Sequence, residues 1–280
     1  MNTDYDIWSF VFAWGVMPCD TFGGCPIWSN KGTFKNPMTY SVIQGGPPGH
    51  PPMTIAVDTG FRKAKSMSGQ EYENIEMPDV ILPKVGLHPD NVEAVILTHM
   101  HFDHMGNIEA FPNARIYVQK KEYLGWKKVL DLPEYLKEGD KTWIFSSFKP
   151  PDMVPFERAR EEGRLHFLEG NSEIFPGIIC HLAEETHTFG SQWIEVRTSD
   201  GPYVLAGDCV YWYENLKRMW PPGYIQGNSW HILRAYGEIR ELIHDDFNRV
   251  VPTHEPKVFE RHQTFMAGLN PVAEIHRAKH

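Results

Sequence analysis

The chain has 280 residues, 41% apolar and 22% charged, so it can bury a sizeable core and is not a disordered protein. Its 27 basic and 36 acidic residues give a net charge of −9, and no Lys/Arg cluster forms a basic face, which argues against a nucleic-acid partner. Cys19, Cys25, Cys180 and Cys209 are too few for a disulfide framework in so long a chain and suit a reducing cytoplasm.

The first apolar stretch, residues 7–17, follows Asp4 and Asp6 rather than Lys or Arg. It is too short for a membrane span and has the wrong flank for a signal peptide, so neither a membrane nor an export route is expected. It reads as a first strand. Short apolar runs of β type follow at 53–57, 94–97, 116–118, 178–182, 193–196, 203–206 and 249–251. Several are continuously apolar, which predicts strands covered on both faces. A helix is predicted over 79–85. A clearer one begins at Asn228 or Ser229, either a good N-cap, and carries Ile232, Leu233, Tyr236, Ile239 and Ile243 on one face. Strands interleaved with helices predict an α/β layered fold. Residues 125–163 are rich in Lys, Glu, Pro and aromatics with weak periodicity, and read as an insertion or lid. No second core follows, so 1–280 is expected to form a single domain.

Histidine stands out at 14 residues, and its placement carries the chemistry. Residues 98–107 read Thr-His-Met-His-Phe-Asp-His-Met-Gly-Asn, directly after the run 94–97. In an extended segment His99 and His101 project to one side and can share a metal ion. Asp103 and His104 lie on the turn beyond and can reach a second. The plain alternative is a polar loop with surface histidines. Three more ligand types stand at strand ends: His187 after 178–182, Asp208 after 203–206 and His254 after 249–251. Each alone could be a turn or capping group; the repeated layout favours a metal site. Seven N/O donors without a thiolate favour zinc, iron, manganese or cobalt in a working site over a structural zinc.

The H-x-H-x-D-H motif followed in order by His187, Asp208 and His254 resembles the metallo-β-lactamase superfamily of metal-dependent hydrolases. Val57-Asp58-Thr59-Gly60 is similar to that family's strand-end turn. The resemblance runs from about residue 40 to 256 and implies an αββα sandwich of two facing sheets, with metals at one edge. A narrower likeness is to the N-acyl homoserine lactonase branch, through Asp208-Cys209-Val210-Tyr211, Glu214-Asn215-Leu216 and Pro221-Pro222-Gly223. It implies two divalent cations, zinc first. His99, His101 and His187 would hold one, Asp103, His104 and His254 the other, and Asp208 would bridge both. The implied reaction opens a lactone ring by attack of a hydroxide shared between the metals. Tyr211 would donate to the developing oxyanion, and Asp103 would carry the proton to the leaving alkoxide. A small neutral lactone is the expected partner, and a different small ring ester is the alternative. A one-iron sulfur dioxygenase and a metal-dead binding module are the rivals from other classes. Two motifs depart from the family: its Gly-His-Thr-Pro-Gly is Thr186-His187-Thr188-Phe189-Gly190 here, and its final Gly-His is Thr253-His254. Neither removes a ligand, but both alter loop shape.

Asp58 is expected to hold the loop beneath the histidines by hydrogen bonds. Cys19 and Cys25 flank a Gly-Gly turn and read as ordinary reduced thiols. Cys209 reads as a small packed hydrophobe. His276 and His280 read as part of a polar tail that binds nothing. The aromatic stretch 211–224 is either core packing or the wall of an apolar substrate pocket, and its Pro221-Pro222-Gly223 marks it as loop and favours the pocket.

Overall fold

The computed structural model describes residues 4–23, 31–137 and 145–279. Among them, an eight-stranded sheet contains β1 (Asp4–Pro18), β2 (Thr33–Gly46), β3 (Met53–Val57), β4 (Ala94–Ile96), β5 (Arg115–Gln119) and β6 (Leu165–Leu168). A five-stranded sheet is made of β7 (Ser172–Phe175), β8 (Ile178–Glu184), β9 (Gly190–Thr198), β10 (Gly201–Leu205) and β11 (Val250–Val251). The chain then returns to the first sheet with β12 (Gln263–Met266) and β13 (Pro271–His276). The spatial orders are β12-β13-β1-β2-β3-β4-β5-β6 and β11-β10-β9-β8-β7. With helices outside, this is the αββα sandwich.

Period-two alternation explains the continuous apolar runs. Ile55, Val57, Ala94 and Ile96 belong to the core shared with the second sheet, alongside Ile194, Val196 and Val204. Their neighbours Ala56, Val95 and Leu97 belong to a second core on the opposite face, with Trp126, Phe148 and Phe156. Each central strand is thus buried twice. The helix Ser229–Leu242 starts where expected, with the Asn228 side chain accepting from Trp230 N. Its Ile232, Ala235, Tyr236 and Ile239 belong to the same buried cluster as Ile194, Val196 and Val204. The segment 79–85 is one helical turn, Pro78–Ile81, tightening into a 3₁₀ turn over Leu82–Val85.

Strand directions bring the candidate ligands together. β3, β4 and β5 run parallel. β8 and β10 are both antiparallel to β9, so they share one direction, and β11 is parallel to β10. His99, His187, Asp208 and His254 each follow the C-terminal end of one of these strands. Gly207 lets two of these strand ends approach closely: its φ is +53°, and a Cβ there would lie 2.7 Å from Thr98 Cβ.

Two readings need correction. His276 is not in a loose tail; it lies on β13, where its Nδ1 donates to Tyr5 O at 2.6 Å. In this strand Glu274 and His276 alternate with Ala273 and Ile275, which are buried. Residues 211–224 are not all loop, since Tyr213–Arg218 forms a helix. The strand β2 is also unforeseen, because Lys35, Asn36 and Pro37 interrupt its apolar pattern. It pairs with β1 from Asp4↔Gly46 to Pro18↔Thr33, and Phe10 stacks on Tyr40 at 5.3 Å across the pair. Residues 125–163 fall within the crossover from β5 to β6, which begins with the helix Lys120–Leu130 and includes the helix Met153–Glu161. Cys25 and His280 lie outside the described residues.

Candidate metal centre

The structure gathers all seven candidate ligands at one edge of the sandwich, in two clusters. His99, His101, His187 and Asp208 form one; Asp103, His104 and His254 form the other. Within each, one donor atom per residue lies within 4.8 Å of all the others, and all seven residues are buried.

Asp208 stands between the clusters. Its Oδ2 faces His187 Nε2 at 3.3 Å and His99 Nε2 at 3.7 Å. Its Oδ1 faces His104 Nε2 and His254 Nε2, each at 3.3 Å. Asp103 Oδ2 lies 3.6 Å from His104 Nε2 and 3.9 Å from His254 Nε2. The buried Nε2 atoms of His99 and His104 have no hydrogen-bond partner among the described residues. Buried polar atoms are ordinarily paired. Unpaired imidazole nitrogens converging on a carboxylate suit metal ligation, and this donor set fits divalent cations.

The outward side of each ring is anchored. Asp58 Oδ2 accepts from His104 Nδ1 at 2.7 Å, while the same carboxylate receives Thr98 N and Thr98 Oγ1 at 2.8 Å each. That is the support expected of Asp58, delivered from a residue with φ of 66°. His254 Nδ1 donates to Pro37 O at 3.1 Å. His101 is turned the other way: its Nδ1 lies 2.9 Å from His187 Nε2, and its Nε2 donates to Gln226 Oε1 at 2.8 Å. Thr253, where the resemblance gives glycine, donates from Oγ1 to Asp208 Oδ1 at 2.6 Å. Gln226 and the Thr253 hydroxyl escaped the sequence reading, because neither residue type signals ligation in isolation.

The clusters differ electrostatically. Burial holds the pKa values of His99 and His101 well below the ordinary histidine range, helped by neighbouring imidazoles. Burial likewise brings His187 down to about 4. Burial also opposes charge on His104 and His254, but Asp208 and Asp103 outweigh it, with Asp58 adding to the effect on His104, and raise both. Burial alone would raise the Asp208 carboxyl, yet His104 and His254 hold it well below the usual carboxylate range. Burial pushes Asp103 upward.

Tyr211 is buried beside the centre, its hydroxyl 3.5 Å from His187 Nδ1. Burial, then Asp208 and Asp103, raise its pKa well above 10, so the phenol keeps its proton. The aromatic stretch that follows divides. Tyr213 joins the inter-sheet core. Trp212 stacks on Phe22 at 4.7 Å and donates from Nε1 to His254 O at 3.2 Å. Trp212 and Trp220 also line a cavity of about 310 Å³ with Cys19, Gly23 and Asn215. Cys209 is packed, as expected, and burial raises its thiol to about 12.

Residues 54–254 match the family model of the metallo-beta-lactamase superfamily. The chain belongs to this superfamily. Among its members, an N-acyl homoserine lactonase from a Bacillus species is 32% identical over 142 residues. That alignment covers 50% of this chain and 48% of the relative, so the chain spans about half the length of such relatives. The fold agrees with superfamily structures. An N-acyl homoserine lactone hydrolase with N-hexanoyl-L-homoserine at its catalytic metal centre superposes with a TM-score of 0.69 at 18% identity. The match covers 94% of this chain and 98% of the other. A dizinc quorum-quenching lactonase superposes at 0.66 and 14% identity, over 91% and 90% of the chains. No helix of the described residues is long and apolar enough to cross a membrane.

Proposed function

We propose that this protein is a lactone hydrolase that works with two divalent cations, zinc foremost, on N-acyl homoserine lactones. The carrying observation is Asp208, which turns one carboxylate oxygen toward each cluster. In this reading His99, His101 and His187 hold one cation, Asp103, His104 and His254 hold the other, and Asp208 touches both. The bound cations would lower the pKa of a water at the centre and polarise the ester carbonyl.

The chain's own groups supply the rest. Tyr211 Oη, protonated and beside His187, donates a hydrogen bond to the carbonyl oxygen as negative charge builds there. Asp103, whose carboxyl is pushed upward by burial, takes the proton released at the water and returns it to the ring oxygen. The alkoxide stays tethered, because the bond broken lies within a ring. Trp212 and Phe22, stacked against the His254 side, exclude water from that flank. The relatives' names support the substrate class. We take residues 1–280 as one domain with 125–163 as its variable segment, and place it in the cytoplasm on its cysteine usage.

The test is a panel of lactones, with a model phosphodiester and a β-lactam beside it, followed by proton release from the metal-loaded protein. Lactones with acyl chains on homoserine are expected to turn over fastest. A phosphodiester exceeding every lactone would overturn the reading. Uptake of a single iron together with oxygen consumption would instead point to a dioxygenase.

A further inference from the structure

A carboxylate that belongs to none of the metal motifs lies behind the three-histidine cluster. Glu122 opens the helix Lys120–Leu130, and its side chain is fully buried. Its Oε1 accepts from Met100 N at 2.9 Å and Trp126 Nε1 at 2.8 Å. Its Oε2 accepts from Gly190 N at 2.7 Å and Thr188 Oγ1 at 2.8 Å. Three of the four donors are N–H groups that can only donate, so the carboxylate serves as a pure acceptor.

The partners are not scattered. Met100 lies between His99 and His101, on the loop leaving β4 of the eight-stranded sheet. Thr188 lies just past His187, on the turn joining β8 to β9 of the five-stranded sheet, and Gly190 opens β9. One side chain therefore clamps two ligand loops that belong to different sheets. All three histidines concerned belong to the same cluster. The other cluster meets Asp58 directly, through His104, whereas Asp58 reaches the three-histidine cluster only by way of Thr98 Oγ1 and His99 Nδ1. The turn also presses on the helix itself, since a Cβ at Gly190 would lie 2.4 Å from Glu122 N. Phe189, where the resemblance gives proline, packs edge-on against Trp126 at 5.2 Å.

We infer that Glu122 is a positioning residue: by clamping the Met100 and Gly190 backbones and the Thr188 hydroxyl, it sets the gap between His99/His101 and His187 and so tunes that cluster foremost. This rests on the two-cation reading above. The isosteric change Glu122→Gln tests it, because the new NH₂ must face one pair of N–H or O–H donors and cannot accept from them. Zinc affinities are measured by competition with a chromophoric chelator. Wild-type protein should take up two equivalents. In Glu122→Gln, one affinity should fall about tenfold to a hundredfold, the range for ligand-supporting partners, with the other within about twofold. In a His254→Ala background the remaining affinity should fall by the same factor; in a His101→Ala background Glu122→Gln should have no effect. Equal weakening of both sites, or of neither, overturns the inference, since a merely fold-supporting residue would lower melting temperature without choosing a site. If Glu122→Gln does not fold, Thr188→Val removes one of the four donors and should weaken the same site about two- to tenfold. Unchanged affinities in Thr188→Val then overturn it. A wild-type protein that binds only one equivalent overturns the two-cation reading first, and this inference with it.

Discussion

The two clusters around Asp208 use the same residue types but are assembled by different physics. The three-histidine cluster is made of imidazoles that burial keeps neutral. They are ready to accept a cation with little proton release. The Asp103 cluster is ionic: the Asp208 and Asp103 carboxylates favour the charged forms of His104 and His254. A cation entering there must displace protons as well as fit. Similar distances therefore do not mean similar electrostatics, and Asp208 lies between two unlike clusters.

The largest way to break the comparison is to remove what the clusters share. Asp208→Ala should cost both cations and lower lactone turnover roughly a thousandfold or more, beyond the loss of a single donor. His254→Ala should leave one equivalent bound. Metal analysis after full loading decides: one equivalent in wild type, or two in Asp208→Ala, contradicts the layout.

Tyr211→Phe should slow turnover roughly tenfold to a thousandfold, the effect of losing one transition-state donor. Metal content and melting temperature should hardly move, because the ring stays packed on Phe22. Steady-state kinetics with unaltered turnover and KM would make Tyr211 a packing residue.

Asp58→Asn sharpens the comparison from the side opposite Glu122. It should weaken the His104 cluster about tenfold to a hundredfold, and the three-histidine cluster less, since Asp58 reaches His99 only through the Thr98 hydroxyl. Chelator competition reads both sites. Thr253→Val, which deletes one hydrogen bond to Asp208, should shift metal affinity only about two- to tenfold.

The smallest effect concerns the buried thiols. Burial raises Cys180 and Cys209 to about 12, so both stay protonated at pH 8 and only the unfolded chain presents thiolate near that pH. Mass spectrometry after a thiol-alkylating agent should show neither modified until denaturant is added.

The candidate ligands were legible because metal chemistry restricts residue type and spacing together. His99, His101, Asp103 and His104 announce themselves within six positions, and His187, Asp208 and His254 each end an apolar run. Glu122 was not legible. In Lys-Lys-Glu-Tyr it looks like any solvated helix charge, and only the folded packing of β4, β9 and the helix gives it a purpose. The strand β2 was hidden for a related reason: Asn36 and Pro37 spoil its pattern, yet Pro37 O is what anchors His254. His276 was misjudged because a polar neighbourhood near a chain end resembles a tail, whereas cross-strand pairing to β1 is a long-range property.

That last pairing has a consequence for synthesis. β13 inserts between β12 and β1, so residues 271–276 flank a strand synthesised long before them. Until they arrive, one edge of β1, including Trp8 and Phe10, has no neighbour, and such an edge is a template for pairing between chains. Contacts this far apart in sequence also form slowly. A nascent chain stalled before residue 271 would carry all seven candidate ligands and still have an unguarded edge, so the hazardous interval in its biogenesis outlasts the arrival of the candidate site.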